Sequence, residues 1–95
     1  MRLAGTRVAV TETEFEITLS ETSFTPGTYT FVVENAGSTD HALEVEGQGL
    51  EEETETIAPG SSAELTVTLE AGTYELYCPV GNHQDQGMTI DIDVA

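Results

Sequence analysis

Apolar and polar residues alternate along almost all of this 95-residue chain, and nowhere does the spacing settle into a helical period. Val8 and Val10 sit between polar neighbours. Phe15, Ile17 and Leu19 share one parity, and Glu14, Glu16, Thr18 and Ser20 the other. Pro26-Gly27 signals a turn, after which Tyr29, Phe31 and Val33 form an inward row ending at Asn35-Ala36-Gly37. His41, Leu43 and Val45 share a face until Gly47-Gln48-Gly49 interrupts them. Leu50 to Ile57 carries the block Glu51-Glu52-Glu53 and reads as an edge strand or a solvated loop, since charge on an edge opposes sheet-to-sheet association. Beyond Pro59-Gly60, the residues Ala63, Leu65, Val67 and Leu69 give the cleanest alternation. Ala71-Gly72 turns the chain into Tyr74, Leu76 and Cys78. A last strand directs Met88, Ile90, Ile92 and Val94 inward.

Seven to eight short strands separated by turns predict an all-β fold, an antiparallel β-sandwich. Residues 1–95 read as one domain with no repeat and no linker.

The same parity bears on chemistry. Side chains on one face recur every second residue, so His41, Cys78 and Met88 each point toward the core with their apolar row. Cys78 ends one strand and Met88 begins the next, which puts both at one end of the sandwich. The loop between them carries His83 back over that end, and His41 joins if its strand starts there. Cys78 and His83 are five residues apart, as are His83 and Met88, a length that can wrap one ion. Gly81 and Gly87 supply backbone freedom in this loop, and Pro79 stiffens its exit from the strand. Two imidazoles, a thiolate and a thioether are the donors that suit copper in both oxidation states. Taken singly, each has a structural reading: Cys78 as a core thiol, His41 or His83 as a backbone-bonded histidine, Met88 as core packing. Zinc would accept the cysteine and histidines but gains little from methionine.

Charge narrows the partners. Two arginines face 18 acidic residues, for a formal net charge of −16, so phosphate backbones and anionic membrane surfaces are repelled. Steering toward a cationic partner and plain solubility, as in a salty medium, both account for the acidity. One cysteine excludes an intrachain disulfide. No apolar run approaches a membrane span. Met1-Arg2-Leu3-Ala4-Gly5 leads straight into a strand-like pattern, so the chain reads as a mature or excised domain.

Asn35-Ala36-Gly37-Ser38-Thr39-Asp40-His41 and Tyr77-Cys78-Pro79 through Met88 together resemble the cupredoxins, the small blue-copper proteins of the plastocyanin, azurin and auracyanin type. Gly27-Thr28-Tyr29-Thr30-Phe31 and Ala58-Pro59-Gly60 fit the same layout. The Cys-x4-His-x4-Met spacing is longer than the plastocyanin loop and nearer the auracyanin and rusticyanin type. The resemblance implies a Greek-key sandwich and one type 1 copper, with His41, Cys78 and His83 equatorial and Met88 axial. It implies a backbone N–H from Ala42 aimed at the ligand sulfur. Many relatives carry asparagine at that position to brace the ligand loops, and Ala42 cannot do so. It further implies a non-enzymatic, monomeric electron carrier outside the cytoplasm. Its redox partner would dock where the His83 edge reaches the surface, among Gly37, Pro79 and Val80. A copper-delivery module, or a domain cut from a larger membrane-anchored or oxidase protein, is the alternative. Catalysis by this chain alone is opposed by its having only two histidines, both already assigned.

Overall fold

Alternation becomes eight strands stacked as two four-stranded sheets. The structure is a computed structural model and describes residues 6–95; the lead-in Met1–Gly5 lies outside the described residues. The strands are β1 (Thr6–Thr13), β2 (Glu16–Leu19), β3 (Gly27–Asn35), β4 (Glu44–Gly47), β5 (Leu50–Glu53), β6 (Ser62–Leu69), β7 (Gly72–Tyr77) and β8 (Thr89–Val94). One sheet runs β2-β1-β3-β6 and the other β5-β4-β7-β8.

All neighbouring strands pair antiparallel except β1 and β3, which are parallel from Thr6↔Tyr29 to Glu12↔Asn35. The connection between β2 and β3 explains the exception. It leaves the first sheet at its outer edge and crosses to the second, where Phe24 bridges Val94, before returning on the other side of β1. A crossover of that kind re-enters the sheet in the original direction.

The inward rows meet between the sheets. Val8, Val10, Phe31 and Val33 come from one side, and Val45, Tyr74, Leu76 and Ile92 from the other, all with 7% or less of their surface exposed. Tyr29 and Tyr74 keep their rings in this core by spending the hydroxyl on backbone four residues upstream: Thr25 and Glu70 each donate an N–H to it and accept from it. Phe31 is fully buried at the centre. Phe31→Ala should lower the urea unfolding free energy by about 3–5 kcal/mol; a loss below about 1 kcal/mol would mean that the core closes over the gap.

Three local expectations change. Phe15 shares the parity of Ile17 and Leu19, yet it is 36% exposed. It lies in the turn between β1 and β2, where strand parity no longer applies. Residues 41–45 are buried without interruption, because β5 and Tyr77 cover the outer side that Glu44 faces. The strand itself starts only at Glu44, and His41 is held ahead of it by an isolated bridge to Ile57. Leu50–Glu53 does form an edge strand, its three glutamates exposed. No helix among the described residues is long and apolar enough to cross a membrane.

Candidate metal centre

The ends of β7 and β8 are tied to each other just beyond their last ladder pair, where the Cys78 N–H donates to the Met88 carbonyl at 3.1 Å. The nine residues between them must turn back on themselves. They do so through a 3₁₀ turn at Gln84–Gln86, with Gly87 at a φ of 117° ending it. A side chain there would be strained and would press on the Phe15 carbonyl. The His83 carbonyl accepts from both Gln86 and Met88, at 3.0 and 3.1 Å, which fixes His83 over the sandwich end. From outside, Glu75 accepts from Gln84 and Thr89 at 2.9 and 2.8 Å and clamps the loop to β7.

His41 arrives from the other side on a loop that Asn35 organises. Asn35 is fully buried; its amide donates to the Thr39 and Ile57 carbonyls at 2.8 Å each, and its oxygen accepts from Gly37 N–H at 2.9 Å. Seven residues before Ala42, Asn35 thus braces the His41 loop internally, whereas the tie between the two ligand loops that an asparagine at position 42 would make has no counterpart in its bonds. Its signal in the sequence was an Asn at the inward parity of β3, which reads more readily as a turn residue.

These two loops bring His41, Cys78 and His83 together. Their candidate ligand atoms all lie within 4.8 Å of one another. His41 Nδ1 is 3.8 Å and His83 Nδ1 3.6 Å from Cys78 Sγ. The two imidazoles stand edge to face with centroids 5.0 Å apart. His41, Cys78 and Met88 are fully buried, while His83 is half-buried, so only one ligand edge meets solvent. The Phe15 ring packs on His83 at 5.1 Å, and half-buried Pro79, Val80 and Gly37 lie in the same two loops. Asp85 is exposed and solvated, and Tyr77 lies against Glu44 and Glu46 on the outer face, covering the sheet.

The electrostatics suit a metal-bound thiolate. Burial pushes the Cys78 thiol up; the backbone N–H groups of Ala42 and Val80 bond the sulfur and oppose that shift, and Glu12 nearby adds to it. A buried thiol with raised pKa carries a proton unless a cation replaces it. Two N–H donors and two ring nitrogens converging on that sulfur fit a thiophilic ion held by nitrogen and sulfur.

Glu14 was missed because its parity, opposite to that of Phe15, Ile17 and Leu19, reads outward. It accepts a bond from His41 Nε2 at 2.6 Å, with Ser38 and Thr39 N–H and hydroxyl groups around it at 3.0–3.3 Å. The Ser38 backbone N–H first, and His41 second, hold its carboxyl down at about 2. An ionised carboxylate only accepts, so His41 Nε2 is the donor in this bond, and Nδ1 is the nitrogen that faces the sulfur.

A family model described as the cupredoxin-like domain matches residues 2–90. Among solved structures, reduced auracyanin from the photosynthetic bacterium Roseiflexus castenholzii superposes with a TM-score of 0.78 at 20% identity, covering 97% of this chain and 98% of that one. Auracyanin B gives 0.79 at 15% identity over 100% and 92%. A multicopper oxidase gives 0.70 at 10% identity over 99% of this chain but 45% of that one. Comparison with curated proteins yields no sequence match. With the family model spanning nearly the whole chain, this protein belongs to the cupredoxin-like family, and its His41, Cys78, His83 and Met88 are arranged as the type 1 site for one copper.

Proposed function

We propose that the chain is a one-electron carrier, in which His41 Nδ1, His83 Nδ1 and Cys78 Sγ would hold copper and the Met88 thioether would add a weaker donor. The observation that carries this reading is the pair of Nδ1 atoms facing one buried sulfur, each on a separately braced loop. Bound copper would supply a reversible one-electron couple. The chain's part is to keep the ligand positions unchanged between oxidation states. Asn35, the His41–Ile57 bridge and the Cys78–Met88 tie do this by anchoring three ligands to backbone. Little then has to move when the electron does.

The half-buried His83 edge is the electron's exit, and the partner docks against it and the exposed Phe15 ring. Transient redox contacts are small, so this patch is large enough. Likeness to the cupredoxins supports a monomer working outside the cytoplasm. The multicopper oxidase likeness keeps open a place within a larger protein. Both histidines of this chain, though, are taken by the one site, so any oxidase chemistry would draw its further ligands from elsewhere.

Copper-loaded protein should show an intense visible band and a reversible one-electron voltammetric wave; a colourless, redox-silent adduct would overturn the proposal. Met88→Gln should lower the reduction potential, because an oxygen donor favours Cu(II) over Cu(I). An unchanged potential would reduce Met88 to core packing.

A further inference from the structure

We infer that Glu14 is a positioning residue for the metal centre: its carboxylate locks the His41 tautomer and raises the donor strength of Nδ1. This inference rests on the copper reading above.

Three observations carry it. The carboxylate meets His41 Nε2 at 2.6 Å, opposite the nitrogen that faces Cys78. The carboxylate is itself held by the loop that carries His41: Ser38 donates from N–H and hydroxyl at 3.0 and 3.1 Å, and Thr39 at 3.3 and 3.2 Å. Its seat also exists only because residue 37 is glycine, since a Cβ there would overlap the Glu14 carboxylate. Seat, clamp and ligand therefore form one unit. Its Glu14 comes from the β1–β2 turn, and the rest comes from the stretch after β3.

The chemistry follows from charge. A histidine that donates its far N–H to an anion becomes a better σ-donor through the other nitrogen. A stronger donor favours the more highly charged ion, here Cu(II) over Cu(I). His83 has no such carboxylate partner among its described contacts; its ring meets Phe15 instead. The two imidazoles are thus unequal by construction. His41 is buried, anion-backed and fixed, while His83 is the solvent-facing one through which the electron passes.

Two variants and two readouts test this at one fixed pH. Glu14→Gln retains an acceptor oxygen but removes the charge. Gly37→Ala retains the charge but displaces it from its seat. In each, the Cu(II):Cu(I) ratio at a fixed solution potential should move toward Cu(I) by about tenfold, the lower end of what outer-shell partners control. In the metal-free protein, imidazole ¹⁵N–¹H spectra should show His41 as the Nε2–H tautomer in the wild type and as a tautomer mixture in Gly37→Ala. A blue wild type whose copper ratio and His41 spectrum are unmoved by both variants would overturn the role of Glu14 alone. A wild type that stays colourless with copper would overturn the copper reading and this inference together, even with the tautomer intact.

Discussion

Cys78→Ser should abolish the visible charge-transfer band of the copper-loaded protein completely, while the sandwich remains folded. The band comes from thiolate-to-copper transfer, and Cys78 is the only sulfhydryl in the chain. No other group can substitute. The fold should survive because Ser is close to Cys in volume and the Cys78 backbone bond to Met88 does not involve the side chain. The hydroxyl will be buried where the sulfur was, but the Ala42 and Val80 N–H groups that met the sulfur can bond it. A cost of about 1 kcal/mol is therefore expected, far below the stability of an ordinary domain. The paired measurements are an absorption spectrum after Cu(II) addition and a far-ultraviolet circular dichroism melt. Full colour in the serine variant would show that another ligand set binds the ion. Colour lost together with the fold would mean that Cys78 is a core residue first.

Much of this centre was legible before any coordinates, and the reason is locality. Cys78, His83 and Met88 lie within eleven consecutive residues, and two of them inherit their direction from strand parity. His41 is remote, and parity gave its direction but not its neighbour. What placed it was topology: β4 and β7 pair antiparallel from Glu44↔Tyr77 onward, which sets the residues before β4 beside those after β7. The supporting groups were harder to see. Asn35 and Glu14 act through loops, whose geometry the period of two does not encode. Phe15 failed for the same reason, since the parity it shared with Ile17 ends at the turn. Glu12 is the opposite case. It continues the inward row of Val8 and Val10, so parity pointed it into the core, yet the sequence reading passed over it. Its charge made that placement easy to overlook.

Glu12 should make this protein less stable as pH rises, in contrast to the usual carboxylate. It is fully buried, and neither carboxyl oxygen has a hydrogen-bond partner. Burial alone raises its pKa from 4.5 to about 8. An acid whose folded-state pKa lies above its unfolded value holds its proton more tightly when folded. Below pH 4.5 both states are protonated and nothing is lost. Between 4.5 and 8 the unfolded chain releases the proton first, and stability falls with each pH unit; above 8 the loss is complete. The total is on the order of 3 kcal/mol once water admitted around an ionised core carboxylate is allowed for. The neutral form also has a role beside the metal centre, because an ionised Glu12 would set a second negative charge near the Cys78 thiolate. Glu12→Leu removes the titrating group and fills the same volume with apolar atoms, and Glu12→Gln removes only the charge. Melting of metal-free protein from pH 5 to pH 9 should show both variants gaining on the wild type as pH rises, with Glu12→Leu the more stable throughout. The many surface carboxylates have their own pH dependence, but it is common to all three proteins and cancels in the differences. A difference that stays flat across that range would mean that Glu12 is not protonated in the folded chain and that something in solution reaches its two oxygens.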